Sequence, residues 1–258
     1  MGFYEEAFER NIGVFSKKEQ TEIRNLRVAI AGCGGMGGQA AQQLVRTGVE
    51  NFKVADFDLY NICNINNQFD SNSETIGKNK AEVVAKNLLL INPNSKVECF
   101  NDGVTKENVG KFLENVDIVV DAIDYNNQAD CWVLHKEARK RKLFVFTSQA
   151  IGLGASLLVF DPDGLSLEDY LGGEAVKSNL IPAEKFSPYL PTYADPKVVE
   201  GIVTGSARYL PNVATAQSLG IAMMIGEILQ LVIKKRKPIC VPGYMAIDLW
   251  DRKFLVKK

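Results

Sequence analysis

Gly32, Gly34 and Gly37 fall in a Gly-x-Gly-x-x-Gly spacing within Gly32-Cys33-Gly34-Gly35-Met36-Gly37, directly after the apolar run at 27–31. Glycines so placed let a backbone turn tightly at the end of a strand and approach phosphate at the N-terminus of the next helix. Asp56 lies nineteen residues beyond Gly37, at the end of a second predicted strand. A carboxylate there can accept hydrogen bonds from ribose hydroxyls. The pair therefore points to an adenosine nucleotide. The blander alternative is that the glycines only permit close helix–sheet packing and that Asp56 caps a strand. The pair does not separate ATP from a nicotinamide dinucleotide, which needs chemistry found elsewhere in the chain.

The elements that must hold these residues alternate in type. Ser16 with Glu19 reads as a capping box at the start of a helical lead-in. Strands are expected at 27–31, 52–55, 97–100, 117–120, 143–147 and 156–160, with helices near 39–47, 78–90, 106–113 and 126–140. The prolines at 162, 182, 188, 191 and 196 discourage long regular elements from 161 to about 204, which reads as a crossover loop. A long apolar helix near 212–233 and a hairpin at 244–248 and 254–256 follow. The pattern is that of an α/β protein with a Rossmann-like, doubly wound, mostly parallel sheet, C-terminal antiparallel strands and a long crossover loop. It divides into a helical lead-in (1–26), a nucleotide-binding core (27–160) and a segment (161–258) that completes the same domain.

Composition narrows the classes. The 258 residues carry a formal net charge of −1, which gives no long-range pull toward nucleic acid or an anionic membrane. The five cysteines, at 33, 63, 99, 131 and 240, are odd in number and contain no Cys-x-x-Cys pair, so neither a disulfide framework nor a structural zinc is expected. Cys33, Cys131 and Cys240 are expected to be buried and inert. No secretory signal is visible, and the apolar stretch at 221–233 is too short to span a bilayer. A cytoplasmic location is the expectation.

Beyond the glycine turn come Asp56-Phe57-Asp58, then Asn64-Ile65-Asn66-Asn67-Gln68, then Gly77-Lys78-Asn79-Lys80, then Asp121-Ala122-Ile123-Asp124. Together these resemble the successive motifs of the ThiF/MoeB/HesA family, relatives of the ubiquitin-activating enzymes, over most of the chain. The resemblance implies ATP-dependent adenylation, in which a substrate carboxylate attacks the α-phosphorus and pyrophosphate leaves. It assigns nucleotide contacts to Asp58, Asn64, Asn67 and Gln68 beside the glycines and Asp56. Lys80 would neutralise phosphate charge, and Asp124 would hold magnesium. Glu9-Arg10-Asn11 resembles the family's N-terminal element, whose arginine reaches the triphosphate of a partner subunit, so Arg10 implies a homodimer. A ubiquitin-like carrier protein or a peptide C-terminus is the implied substrate.

Two departures qualify the resemblance. Asn67 stands where the family carries arginine, so a neutral amide replaces a forked cation, although Lys78 is close by in sequence. This leaves open a nucleotide-binding module without catalysis. No cysteine occurs between 161 and 204, which argues against a thioester step there and leaves room for a dehydratase acting on a carboxylate of modified tRNA. The lone histidine, His135, is expected on a helix surface rather than in catalysis. An NAD-dependent oxidoreductase rests on the glycine turn and Asp56 alone.

Overall fold

A computed structural model describes residues 2–124, 127–173, 188–189, 195–203 and 211–258. Helices α1 (Phe3–Ala7) and α2 (Lys17–Asn25) precede β1 (Arg27–Ala31), and α2 opens on the expected capping box, with Ser16 and Glu19 each bonding the other's backbone amide. Then come α3 (Gly35–Thr47), β2 (Asn51–Ala55), α4 (Lys80–Ile91) and β3 (Lys96–Phe100). The short α5 (Val109–Phe112), β4 (Ile118–Asp121), α6 (Gln128–Lys140), β5 (Phe144–Ile151) and β6 (Gly154–Phe160) follow. Helices α7 (Leu167–Leu171) and α8 (Pro196–Val203), the long α9 (Ala214–Val232), β7 (Tyr244–Asp248) and β8 (Lys253–Lys257) complete the described chain.

Among the described residues the strands form one sheet in the order β3-β2-β1-β4-β5-β6-β7-β8. β3, β2, β1, β4 and β5 run parallel, and β6, β7 and β8 extend the sheet antiparallel. The architecture is thus the mixed α/β sheet expected, with its parallel core and antiparallel C-terminal strands. Ile118 and Val120 of β4 point into a core shared with α3 and α9, whereas Val119 points into a second core with α6. Both faces of β4 are covered, as its uninterrupted apolar sequence requires.

Several element limits differ from the sequence reading. α3 begins at Gly35 rather than near 39, because Gly35, Gly37 and Gly38 are poor helix formers invisible to apolar periodicity, yet close packing requires them. The helix expected over 106–113 shrinks to Val109–Phe112, since Thr105 and Asn108 bond each other's backbone amides in a local turn. The region expected to be a crossover loop contains α7 and α8, while residues 174–187, 190–194 and 204–210 lie outside the described part. The apolar stretch judged too short for a membrane belongs to a 19-residue helix that does meet the length and composition of a span, but α9 lies against α3, β5 and β6 with Ile221, Met224 and Ile228 fully buried.

Candidate nucleotide site

The sheet order reverses between β1 and β4, and ligands of such sheets gather in the crevice outside the carboxyl ends of the strands at that point. A cleft of about 960 Å³ opens there, lined by Gly32, Gly34, Asp56, Lys80, Asp124 and Gln217 among others. Gly32 adopts φ +89°, and a side-chain carbon on it would lie 2.2 Å from the Ala122 carbonyl oxygen. Gly34 occupies the cap position of α3 without a side-chain cap, and no acidic residue stands in the first turn. The amides that open a helix have no intrahelical acceptor, so this end presents donors and positive dipole to the cleft. Gly35 admits Gln217, whose Oε1 would sit 1.8 Å from an added Cβ. Gly37 does not line the cleft; it lets α3 press on the Gly32 carbonyl, so its part is packing rather than contact.

Asp56 braces the turn. Its Oδ2 accepts the Cys33 amide at 2.6 Å and its Oδ1 the Asp58 amide at 2.8 Å. Each oxygen keeps a further lone pair. Burial pushes the Asp56 carboxyl up, opposed by the Cys33 amide and by Lys80. Cys33 is fully buried beneath the turn, and burial pushes its thiol well up, as expected of an inert cysteine.

Lys80 opens α4, whose cap residue Asn79 accepts the Glu82 amide. The Lys80 side chain is 7% exposed, and its Nζ lies 3.0 Å from Asp58 Oδ2. It is therefore not a surface lysine. Asp124 follows the end of β4 and is open to solvent along the cleft, yet the surrounding walls desolvate it: burial raises its carboxyl above the ordinary range, eased by Lys80 and reinforced by Asp58. It does not cap α6, which begins at Gln128 with Asn127 in the cap position. One ammonium and two carboxylates leave a net negative charge, a set that accommodates a divalent cation together with polyphosphate.

A carboxyl group with a raised folded pKa is favoured in its protonated form by the fold. Its contribution to stability therefore falls as pH rises from the unfolded value through the folded one, and stays lowered above. Asp124→Asn is expected to raise the melting temperature of the ligand-free protein at neutral pH, with the gain shrinking toward about pH 4, where the unfolded carboxylate is also protonated. The same substitution is expected to weaken magnesium-dependent ATP binding. Melts across this pH range check both, and a lowered melting temperature at neutral pH would refute the assignment of strain to that charge.

The polar loop before α4 divides its residues between cleft and scaffold. Asn64 Oδ1 accepts the Asn61 amide in a 3-10 turn. Gln68 stands beside Gly34, and its Oε1 is buried without a protein partner. Gln149 Oε1, also in the lining, is likewise buried and unpartnered. These acceptors suit the donors of a nucleotide's base and ribose, while the amides of the glycine turn suit its phosphates. Asn67 donates to Asn212 Oδ1 at 2.8 Å, and Gln217 also meets that atom at 3.1 Å, so the residue in the arginine position latches the loop to the approach of α9. Lys78 is exposed and absent from the lining, so it does not replace the missing cation.

Arg10 lies outside its own chain's cleft. Its neighbour Asn11 is tied to the Thr47 carbonyl at the far end of α3, and a 13-residue helix spans about 20 Å. His135 is a correction: it is 6% exposed, with Nε2 2.9 Å from Asp121 Oδ2 and its ring edge-on to Phe160. The four-residue spacing of Cys131 and His135 on α6, facing the end of β4, was the available signal for this burial, and so was the apolar company of His135.

A glycine turn, a buried lysine and two carboxylates at the switch point of a doubly wound sheet define a nucleotide-binding α/β protein. The chain belongs to the ThiF family, whose model matches residues 8–257; enzymes of this family use ATP. It is 31% identical over 144 residues to the Bacillus subtilis tRNA threonylcarbamoyladenosine dehydratase, covering 55% of each chain. It is 34% identical over 105 residues to the Thermus thermophilus sulfur carrier protein adenylyltransferase, covering 41% of this chain and 39% of that one. The chain thus spans about half the length, or less, of these curated relatives. A crystal structure of PaaA superposes with a TM-score of 0.75 at 18% identity, covering all of this chain and 74% of that one. Escherichia coli MccB with ATP gives 0.69 at 17%, covering 93% of this chain and 66% of that one. At these identities the likeness is one of fold.

Proposed function

We infer that this protein binds ATP with magnesium in the switch-point cleft and activates a substrate carboxylate by adenylyl transfer. The observation that carries the reading is the buried Lys80, paired with Asp58 and lining the same cleft as Asp124 and the open end of α3. In this reading the carboxylate oxygen bonds to the α-phosphorus, the bond from that phosphorus to the bridging oxygen breaks, and pyrophosphate leaves. Magnesium, where Asp124 with Asp58 would hold it, supplies charge neutralisation. The chain's own part is positioning: first-turn amides of α3 and Lys80 face the phosphates, and Asp56 holds the turn while offering lone pairs to ribose. Gln68 and Gln149 offer acceptors to the remaining donors. Arg10, remote from its own cleft, would serve a second copy of the chain in a homodimer.

The acceptor carboxylate belongs to a carrier protein, a peptide or a modified tRNA nucleoside. The sulfur-carrier relative favours the first and the dehydratase relatives the last, and both readings share the adenylation step. ATP–pyrophosphate exchange stimulated by one such carboxylate is the test. Measurable ATP binding with no exchange for any of them overturns the reading, and calorimetry with magnesium and ATP against NAD excludes a dinucleotide enzyme.

The Asn67 latch favours a second reading, a nucleotide-binding module without chemistry. Asn67→Arg separates the two. Under the leading reading it restores a charge-assisted contact worth about 1.5 kcal/mol, and exchange rises about tenfold despite the lost bond to Asn212. Unchanged exchange would favour the second.

A further inference from the structure

We propose that Asp121, Cys131 and His135 form a binding site for a single borderline-soft divalent cation, zinc above all, in the wall of the cleft on the α6 side of the sheet. The three ligand atoms, Asp121 Oδ2, Cys131 Sγ and His135 Nε2, lie within 4.8 Å of one another. Two of the distances are shorter still, 3.1 Å from Sγ and 2.9 Å from Nε2 to the same carboxylate oxygen. Around a tetrahedral zinc with bonds of about 2.0–2.3 Å, ligand atoms stand roughly 3.3–3.8 Å apart. The cluster therefore needs to open by about half an ångström to admit the ion. The hydrogen bonds converging on Asp121 Oδ2 hold the ligands in place until it does.

The elements that present the ligands are rigid. Cys131 and His135 are four residues apart on α6, hence on one face of it, and Asp121 ends β4 in register with Ala31 of β1 and Thr147 of β5. The other oxygen of Asp121 accepts the Ile123 amide, and Phe160 packs edge-on against the His135 ring. Such outer contacts fix ligand orientation. The donor set of one sulfur, one nitrogen and one oxygen suits zinc and is poor for magnesium or calcium, which take oxygen. All three residues line the cleft, so the fourth coordination position faces it, the arrangement of an open site rather than a closed structural one. Val119, two residues before Asp121, points into the α6-side core, whereas α3 covers the opposite face of β4. The ligand set excludes Asp124, so this cation is a second one beside any magnesium there, and it binds whether or not the protein adenylates a substrate. Its ligands come from two elements and include no Cys-x-x-Cys pair.

The test uses the full chain in a Cys63→Ser/Cys99→Ser background, which removes the two exposed thiols. Elemental analysis after dialysis is expected to find one zinc per chain, and cobalt titration of the metal-free protein a thiolate-to-cobalt charge-transfer band. Cys131→Ser should abolish the band, and His135→Gln should weaken binding by about a hundredfold or more, since even outer partners of a metal ligand are worth 10–100-fold. A folded chain with no thiolate band, or one whose band survives Cys131→Ser, overturns the proposal. The cobalt result on the unsubstituted cluster decides it even where a variant fails to fold.

Discussion

Lys80→Met is expected to lower nucleotide-dependent turnover by about 10²–10³-fold, the loss typical of removing one preorganised electrostatic contact from an active site. The ammonium is held in a nearly closed wall, where charge acts with little screening, and its partner Asp58 is 46% exposed at the side chain. The carboxylate left behind can therefore rehydrate. Methionine keeps the unbranched stem that packs at the start of α4, so the fold should survive. Losing a charge-assisted phosphate contact is worth about 1.5–3 kcal/mol, or roughly ten- to 150-fold in affinity for ATP. Calorimetry and pyrophosphate exchange measure the two effects separately. A variant that exchanges within a few-fold of the parent would remove Lys80 from the chemistry.

Gly32→Ala should cost about 2–4 kcal/mol of stability, with a fall of about 5–15 °C in melting temperature, and should abolish nucleotide binding. Two terms add. Positive φ disfavours any side chain by about 1–2 kcal/mol, and the new carbon meets the Ala122 carbonyl, a backbone atom fixed by the Ala122 amide donating to Ala31. Neither strand can yield without opening the β1–β4 ladder. Gly77→Ala is the control, because Gly77 has φ +81° with nothing within 4 Å of an added carbon. It should cost the conformational term alone. Equal melting temperatures for the two variants would show that the close approach at Gly32 contributes nothing.

The sequence made legible those parts of the molecule in which local rules and tertiary packing agree. The glycine turn, the alternation of strands and helices and the capping box at Ser16 follow from backbone geometry and from hydrophobic periods, so they stand where expected. Lys80 and Asp124 were singled out by resemblance alone, since no period or propensity separates a buried lysine from a surface one; its burial comes from the fold of the preceding loop. Asn67 shows the limit on the polar side. A missing arginine was visible, but its bond to Asn212 spans 145 residues and no local signal records such a contact. His135 was misplaced because a polar residue on a helix reads as exposed unless its partner, here Asp121 on a neighbouring strand, is known. Gln149 escaped notice for a related reason: its side chain has chemical meaning only beside the cleft that other segments build.

That long-range latch bears on when the protein becomes competent during its own synthesis. The cleft draws its lining from Gly32 to Gln217, and the floor under α3 and β5 is completed by α9. A ribosome releases the chain from its N-terminus, so the glycine turn, Lys80 and Asp124 all emerge well before the segment that secures the loop between them. Until Asn212 and α9 arrive, α3 lacks one of the elements it packs against and the loop bearing Asn67 lacks its bond to Asn212. Ordering the site ahead of that closure would cost loop entropy with fewer contacts in return. A chain ending before Asn212 is therefore expected to bind nucleotide more weakly than one that includes α9.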